Sequence, residues 1–316
     1  MYADIGILFL IAMISYYRST IQSPRMKKQA KLQPGCWIKS EKPTEANLQW
    51  LTSLRLDEDT LRDALDPYEV PRLERDEVWT YYIARLPDTN DELGGFTTPI
   101  LFAISDRYLV TVSRDNLSSL WQPFVEHDRI PTTQRGKLFL AIIGAIVEQY
   151  ERQLAIINRR MRAIMLDVSN IRVGDVAIFT ENERKVNDYL DALVPMNTAL
   201  EKLLNSKALK LFDNDADMVE DLSIDLEQLV ARCKSQLRTI TNLRDSYRAM
   251  MDSQLNATMR LLTVITVVMT IPTVVAGIFG MNVDLPGGGT VADFWWIIGL
   301  TSIVALVVAI YFMRRR

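Results

Sequence analysis

Two runs of this chain, Leu261 to Phe279 and Phe294 to Met313, contain no charged residue, and only the stretch from Gly280 to Asp293 separates them. About 20 consecutive apolar residues are enough for an α-helix to cross the hydrocarbon of a bilayer. Each run therefore predicts a membrane span, and the pair predicts a helical hairpin. The competing reading, two core helices of a soluble protein, requires partner surface on every side, which runs this long seldom find. Composition hides the signal. With 24% charged and 48% hydrophobic residues, the 316-residue average looks like an ordinary soluble chain. The average is ordinary because residues from Met1 to about Asn256 are charged and globular in texture.

Basic residues orient the hairpin. Lys234, Arg238, Arg244, Arg248 and Arg260 precede the first run and Arg314 to Arg316 follow the second, whereas Gly280 to Asp293 contains no Lys or Arg. The positive-inside rule then puts both ends of the hairpin in the cytoplasm and the connecting loop outside, so the expected location is the cytoplasmic (inner) membrane. A third apolar run, Ile5 to Tyr17, is too short for a regular span, and Asp4 has the wrong sign for a secretory leader. Met26, followed by Lys27 and Lys28, is a sensible start for the folded part. Residues 1–25 are therefore expected to be an extension outside the fold, with a mis-assigned start codon as one origin.

The remaining sequence divides by texture. Residues 26–135 predict a cytoplasmic α/β domain, with strands over Cys36–Lys39, Val78–Leu86, Ile100–Ser105 and Tyr108–Ser113. Its helices are expected over Ala46–Leu54, capped by Thr44, and over Thr60–Leu65 and Leu117–Val125. Residues 136–260 predict long helices, over Lys137–Asp167, over Val173–Asn205, and from about Asp215 onward. The last of these carries Leu222, Leu226, Leu229, Cys233, Leu237 and Ile240 at steps of three and four, a seam expected to face partner helices. No Pro or Gly interrupts it before Pro272. A helix from Asp215 to Gly280 would be a stalk roughly 95 to 100 Å long. The first span is then 261–279, the outer loop 280–293, the second span 294–313 and the basic tail 314–316.

The side-chain inventory excludes several chemistries. One histidine, His127, and two distant cysteines, Cys36 and Cys233, provide no zinc-ligand spacing and no disulfide framework. The α/β part contains no dinucleotide fingerprint, no P-loop and no nucleophile elbow, and no pairing of nucleophile with base stands out. Catalysis is not expected, and neither is a nucleic-acid partner.

The residue types inside the first span say more than its hydropathy. Asn256, Met259, Thr263, Thr266, Thr270, Thr273, Gly277 and Gly280 follow one another at spacings of 3, 4, 3, 4, 3, 4 and 3, so mostly small or polar positions share one helix face. Such a stripe fits helix packing, with threonines bonding back to their own backbone, and it fits the wall of a water-filled axis equally well. Two spans per chain cannot enclose an axis. A pore therefore requires a closed ring of copies.

These features together resemble the CorA family of divalent-cation channels. They are a C-terminal pair of spans, Gly280-Met281-Asn282 closing the first, a short outer loop, a long stalk and an N-terminal α/β domain. The GCWI and DALDPYEVPRLE segments, Gly35 to Ile38 and Asp63 to Glu74, are similar to those of bacterial members. The resemblance implies a homopentameric funnel in the lipid bilayer, with a cytoplasmic α/β domain and a pore lined by the first span. It implies that Gly280, Met281 and Asn282 form the outer mouth, that Asn256, Thr263 and Thr273 are polar pore positions, and that Met259 and Leu262 form an apolar constriction. It further implies that Mg²⁺ is both substrate and regulatory ligand, bridging copies at Asp221 or a neighbour such as Asp225. Phe279 stands where many relatives have tyrosine, and the outer loop carries only Asp284 and Asp293, which weakens electrostatic capture of cations there.

Three functions follow: uptake of Mg²⁺, with Co²⁺ or Ni²⁺ as further cargo; Zn²⁺ transport on the same scaffold; and a membrane-anchored helical scaffold that moves nothing. The scarcity of His and Cys favours the hard ion. The threonine stripe counts against the scaffold.

Overall fold

The computed structural model describes residues 14–88, 95–126, 130–166, 173–206, 213–281 and 291–314. They fall into two units that divide between Leu243 and Arg244.

The first unit is built on a seven-stranded sheet: β1 (Ile14–Thr20), β2 (Ser23–Gln29), β3 (Trp37–Glu41), β4 (Arg72–Arg75), β5 (Thr80–Pro87), β6 (Thr97–Ile104) and β7 (Leu109–Ser113). The spatial order is β2-β1-β3-β7-β6-β5-β4, and only the β3–β7 pair is parallel. Every residue of β6 is buried, as expected of an aliphatic and aromatic strand covered on both faces. Pro99 interrupts it without a broken ladder, because pairing to β7 begins only at Ile100.

Helices cover both faces of the sheet. On one side α1 (Glu45–Ser53) and α2 (Glu58–Asp63) pack Leu48, Leu51 and Leu61 against Ile83, Leu101 and Val110. Thr44 caps α1 through a reciprocal capping box with Asn47, and Asp57 caps α2 by accepting the Thr60 N–H at 2.8 Å. On the other side lie α3 (Ser118–Glu126), α4 (Arg135–Leu166), α5 (Val173–Ser206) and the start of α6 (Asp213–Phe279). One apolar cluster joins Trp37, Tyr82 and Phe102 of the sheet to Phe139 of α4, Leu193 of α5 and Leu226 of α6. No boundary falls at residue 135. Sheet and long helices share a core.

Two expectations are corrected here. Residues 14–25 are not outside the fold. They form β1 and the start of β2, with β1 hydrogen-bonded between β2 and β3 and Ile14 buried. Ser19 and Thr132 clasp β1 to the segment before α4: the Ser19 N–H donates to Thr132 Oγ1 at 2.9 Å and the Thr132 N–H to Ser19 Oγ at 3.0 Å. Residues 1–13, like His127, lie outside the described residues.

The seam on α6 is likewise not left for other copies. Leu222, Leu226, Leu229, Cys233 and Ile240 are buried in this chain's own core, and Leu237 is half-buried against it. The partners are α4 and α5. Gly144 of α4 leaves room beside Leu222, Glu151 of α4 pairs with Arg232 at 3.1 Å, and Ser223 Oγ donates to Asn197 Oδ1 of α5 at 3.0 Å. A three-four repeat asks for a helical partner, and the same chain supplies it.

The second unit comprises the remainder of α6, to Phe279, and α7 (Val291–Arg314). The most apolar window of each helix has no buried residue. A core helix of a soluble protein would be mostly covered, so the uncovered state favours helices that cross a membrane.

Candidate functional site

The stripe occupies one face of α6 in the second unit. Asn256, Met259, Thr263, Thr266, Thr270, Thr273, Gly277 and Gly280 are all exposed, as is Leu262 on its flank. Nothing among the described residues of this chain covers them. Each threonine hydroxyl donates one turn back: Thr263 to the Met259 carbonyl at 2.8 Å, Thr266 to Leu262 at 2.9 Å, Thr270 to Thr266 at 2.8 Å and Thr273 to Met269 at 2.8 Å. Thr198, Thr258 and Thr301, away from the stripe, do the same. Back-bonding is thus the resting state of helical threonines here. It satisfies the single hydroxyl proton and leaves oxygen lone pairs to accept. The face therefore presents acceptor oxygens without charge.

Glycines end the stripe. A Cβ at Gly277 would meet nothing within 4 Å among the described residues, so its own chain does not require glycine there. At Gly280 a Cβ would lie 3.1 Å from the Ala276 carbonyl oxygen. The Gly280 N–H still donates to that oxygen at 2.9 Å, and the Met281 N–H donates to Ile278 at 3.3 Å, so the last turn tightens. The tightening, rather than a left-handed glycine, ends the helix: Gly35 is the only described glycine with positive φ. Asn282 and the loop to Thr290 lie outside the described residues.

Asp221 and Asp225 are exposed on α6, four residues apart, so they share a face beside the buried Leu222 and Leu226. Among the described residues no group of three His, Cys, Asp or Glu side chains could hold a metal. A site at Asp221 and Asp225 would need ligands from another copy. Cys233 is an apolar core residue. Burial pushes its thiol up to about 12, so the neutral thiol is its form at neutral pH.

Sequence reasoning passed over the two ends of α7. Phe294, Trp295 and Trp296 at one end and Tyr311 and Phe312 at the other are exposed large aromatics. From Phe294 to Tyr311 the helix rises about 26 Å, close to the thickness of a hydrocarbon core. Aromatic belts at both interfaces are what a span presents to lipid, and the spacing was available in the sequence.

Comparison with known proteins agrees with this architecture. The family model described as "CorA-like Mg2+ transporter protein" matches residues 33–316. The cobalt/magnesium transport protein CorA of Methanocaldococcus jannaschii is 25% identical over 290 residues, covering 88% of this chain and 90% of that protein. Among solved structures, the complete CorA magnesium transporter from Methanocaldococcus jannaschii superposes with a TM-score of 0.78 at 21% identity, covering 96% of this chain and 98% of that one. The full-length CmaX protein superposes at 0.75 and 17% identity, covering 95% and 97%. The two solved structures share the fold over nearly the whole length.

Proposed function

We propose a transport function on one premise: this chain belongs to the family of CorA-like Mg²⁺ transporter proteins. It is a divalent-cation transporter with an N-terminal α/β unit, a long helix and two C-terminal apolar helices, and it is not an enzyme. Its cargo is Mg²⁺, with Co²⁺ as a secondary ion, entering down the electrochemical gradient through the axis of a homopentamer in the cytoplasmic membrane. The exposed stripe on α6 carries this reading. Once the Leu222 to Ile240 seam is used within the chain, the stripe is the polar helix face still open to other copies.

The chemistry follows from Mg²⁺ itself. The ion gives up water reluctantly and prefers oxygen, so a wall of hydroxyl acceptors can pass it with much of its hydration shell in place. Gly280, Met281 and Asn282 form the outer mouth, where a ring of amide oxygens attracts the ion without the full charge that would trap it. Met259 and Leu262 form the apolar constriction, which closes by excluding water. Inside-negative potential drives entry at about 4.6 kcal/mol per 100 mV for two charges. Asp221 and Asp225 of adjacent copies bind internal Mg²⁺ and hold the pore shut. Positive charge at both ends of the hairpin supports a cytoplasmic placement of those ends.

The test is ion flux in proteoliposomes. Mg²⁺ influx should rise with inside-negative potential, and Asn282→Ala should reduce it by about tenfold or more while the oligomer stays intact. Zn²⁺ influx coupled to protons, without Mg²⁺ influx, would replace this reading with zinc transport. No flux of either ion would leave a scaffold.

A further inference from the structure

The stripe on α6 does not begin at Asn256. Counting back from that residue in the same alternating steps of four and three gives Asp252, Ala249 and Asp245, and all three are exposed. The covered side of this stretch is the opposite one, where Tyr247 is buried and Met250 and Met251 are half-buried. One face of the helix therefore runs without a break in register from Asp245 to Gly280, and all of it lies in the second unit. Charge is what changes along it. From Asn256 to Gly280 the face has none, whereas its beginning carries two carboxylates.

The two carboxylates differ in their surroundings. Asp245 is 3.9 Å from Arg248, one turn on, so its charge is partly compensated. With Arg248 turned that way, Asp252 has no ion pair or hydrogen bond among the described residues. Arg260, the next cation along the helix, lies two turns on and to one side of the face. Asp is a poor helix former, and here its own chain offers the unpaired carboxylate no compensation. Asp252 stands about 6 Å along the helix from Asn256 and about 14 Å short of Leu261, where the uncharged run begins, which puts it on the aqueous side of the span.

We propose that Asp252 sets the charge selectivity of the cytoplasmic mouth: in the ring of copies its carboxylates form a collar on the axis, one turn inside Asn256, that gathers divalent cations and repels anions. The inference rests on the transport reading above. Rings of Asp or Glu are a means by which cation pathways select by charge. The stripe cannot supply this alone. Its oxygens act on an ion close by and carry no net charge, whereas a fixed charge is felt over about 8 Å in physiological salt. Asp252 is the unpaired charge on the face, and it lies where ions meet the mouth from inside.

Mg²⁺ flux through the full-length protein in proteoliposomes, measured in each direction, tests the proposal. A collar of carboxylates raises the cation concentration beside it by about tenfold or more, so D252N should lower Mg²⁺ efflux by about tenfold and influx by less. The deficit should shrink as ionic strength rises from about 0.05 M to about 1 M, which a structural defect would not do. D252E should restore efflux. D252N/Q254D, which keeps the net charge and moves the carboxylate to the far face of the helix, should not. Size-exclusion chromatography would verify that each variant assembles as the wild type does. Wild-type flux that D252N leaves unchanged in both directions overturns the inference and leaves the transport reading standing. A deficit that is insensitive to salt, or that Q254D repairs, does the same. A wild-type protein that moves no Mg²⁺ overturns both.

Discussion

Two cysteines and one glycine test how the core and the stripe are built. Cys36 and Cys233 are both fully buried, and burial raises the Cys233 thiol from its ordinary value of 9.0 to about 12. The neutral thiol is therefore the form compatible with the fold. A group whose folded pKa is raised contributes stability below its unfolded value and loses it as pH rises through the folded one, so the cost falls between pH 9 and 12. Below pH 8 a maleimide should label neither cysteine in the native protein and both in denaturant. Native labelling at Cys233 would show that α6 does not pack as described. Gly277 makes the opposite prediction, because among the described residues of its own chain nothing fills the space beside it. Gly277→Leu should leave helicity unchanged while weakening assembly of copies and lowering flux, read by circular dichroism, sedimentation and proteoliposome assay. A Leu variant that assembles and conducts normally would remove Gly277 from any interhelical contact.

At the scale of elements, α2 offers a stability test tied to pH. Its N-cap Asp57 accepts from the Thr60 backbone, and this bond, with the Thr60 hydroxyl, holds the carboxyl below its ordinary value. A lowered folded pKa contributes stability above the unfolded value of 3.8 and loses it as pH falls through the folded value. Asp57→Ala should cost about 1 kcal/mol in urea unfolding at pH 7, and the gap to wild type should narrow below pH 4. Caps of this kind were readable: Thr44 before a helical run announces α1. The strands that escaped sequence reading show where the signal fails. β2, SPRMKKQ, and β4, RLER, are the two edges of the sheet, and edges are protected from foreign strands by charge and proline, which erases the apolar pattern that identifies a strand. β1 was hidden differently. Its ISYYRST continues the apolar Ile5 run without a break, so composition merged a strand with the segment before it.

For the whole molecule, the two three-four repeats of α6 look alike in sequence and behave oppositely. Spacing states that a face wants a partner. It cannot say which chain provides one. From Leu222 to Ile240 the partners are α4 and α5, whereas from Asn256 to Gly280 the face is uncovered. Apolar chemistry hints at the difference, since leucines at steps of three and four can be buried by any adjacent helix, while threonines and glycines require close backbone approach or water. The site's oxygen-bearing face was thus legible and the fate of the seam was not. If the first unit completes its core without another copy, the chain ended at Leu243 should be soluble and fold cooperatively. At low micromolar concentration it should sediment as a monomer, because the leucine seam that would have driven association is internal. The full-length chain in lipid nanodiscs should instead run at the mass of five copies. A fragment that forms stable pentamers alone would return the drive for assembly to the soluble unit, and the stripe on α6 would then follow from the ring rather than build it.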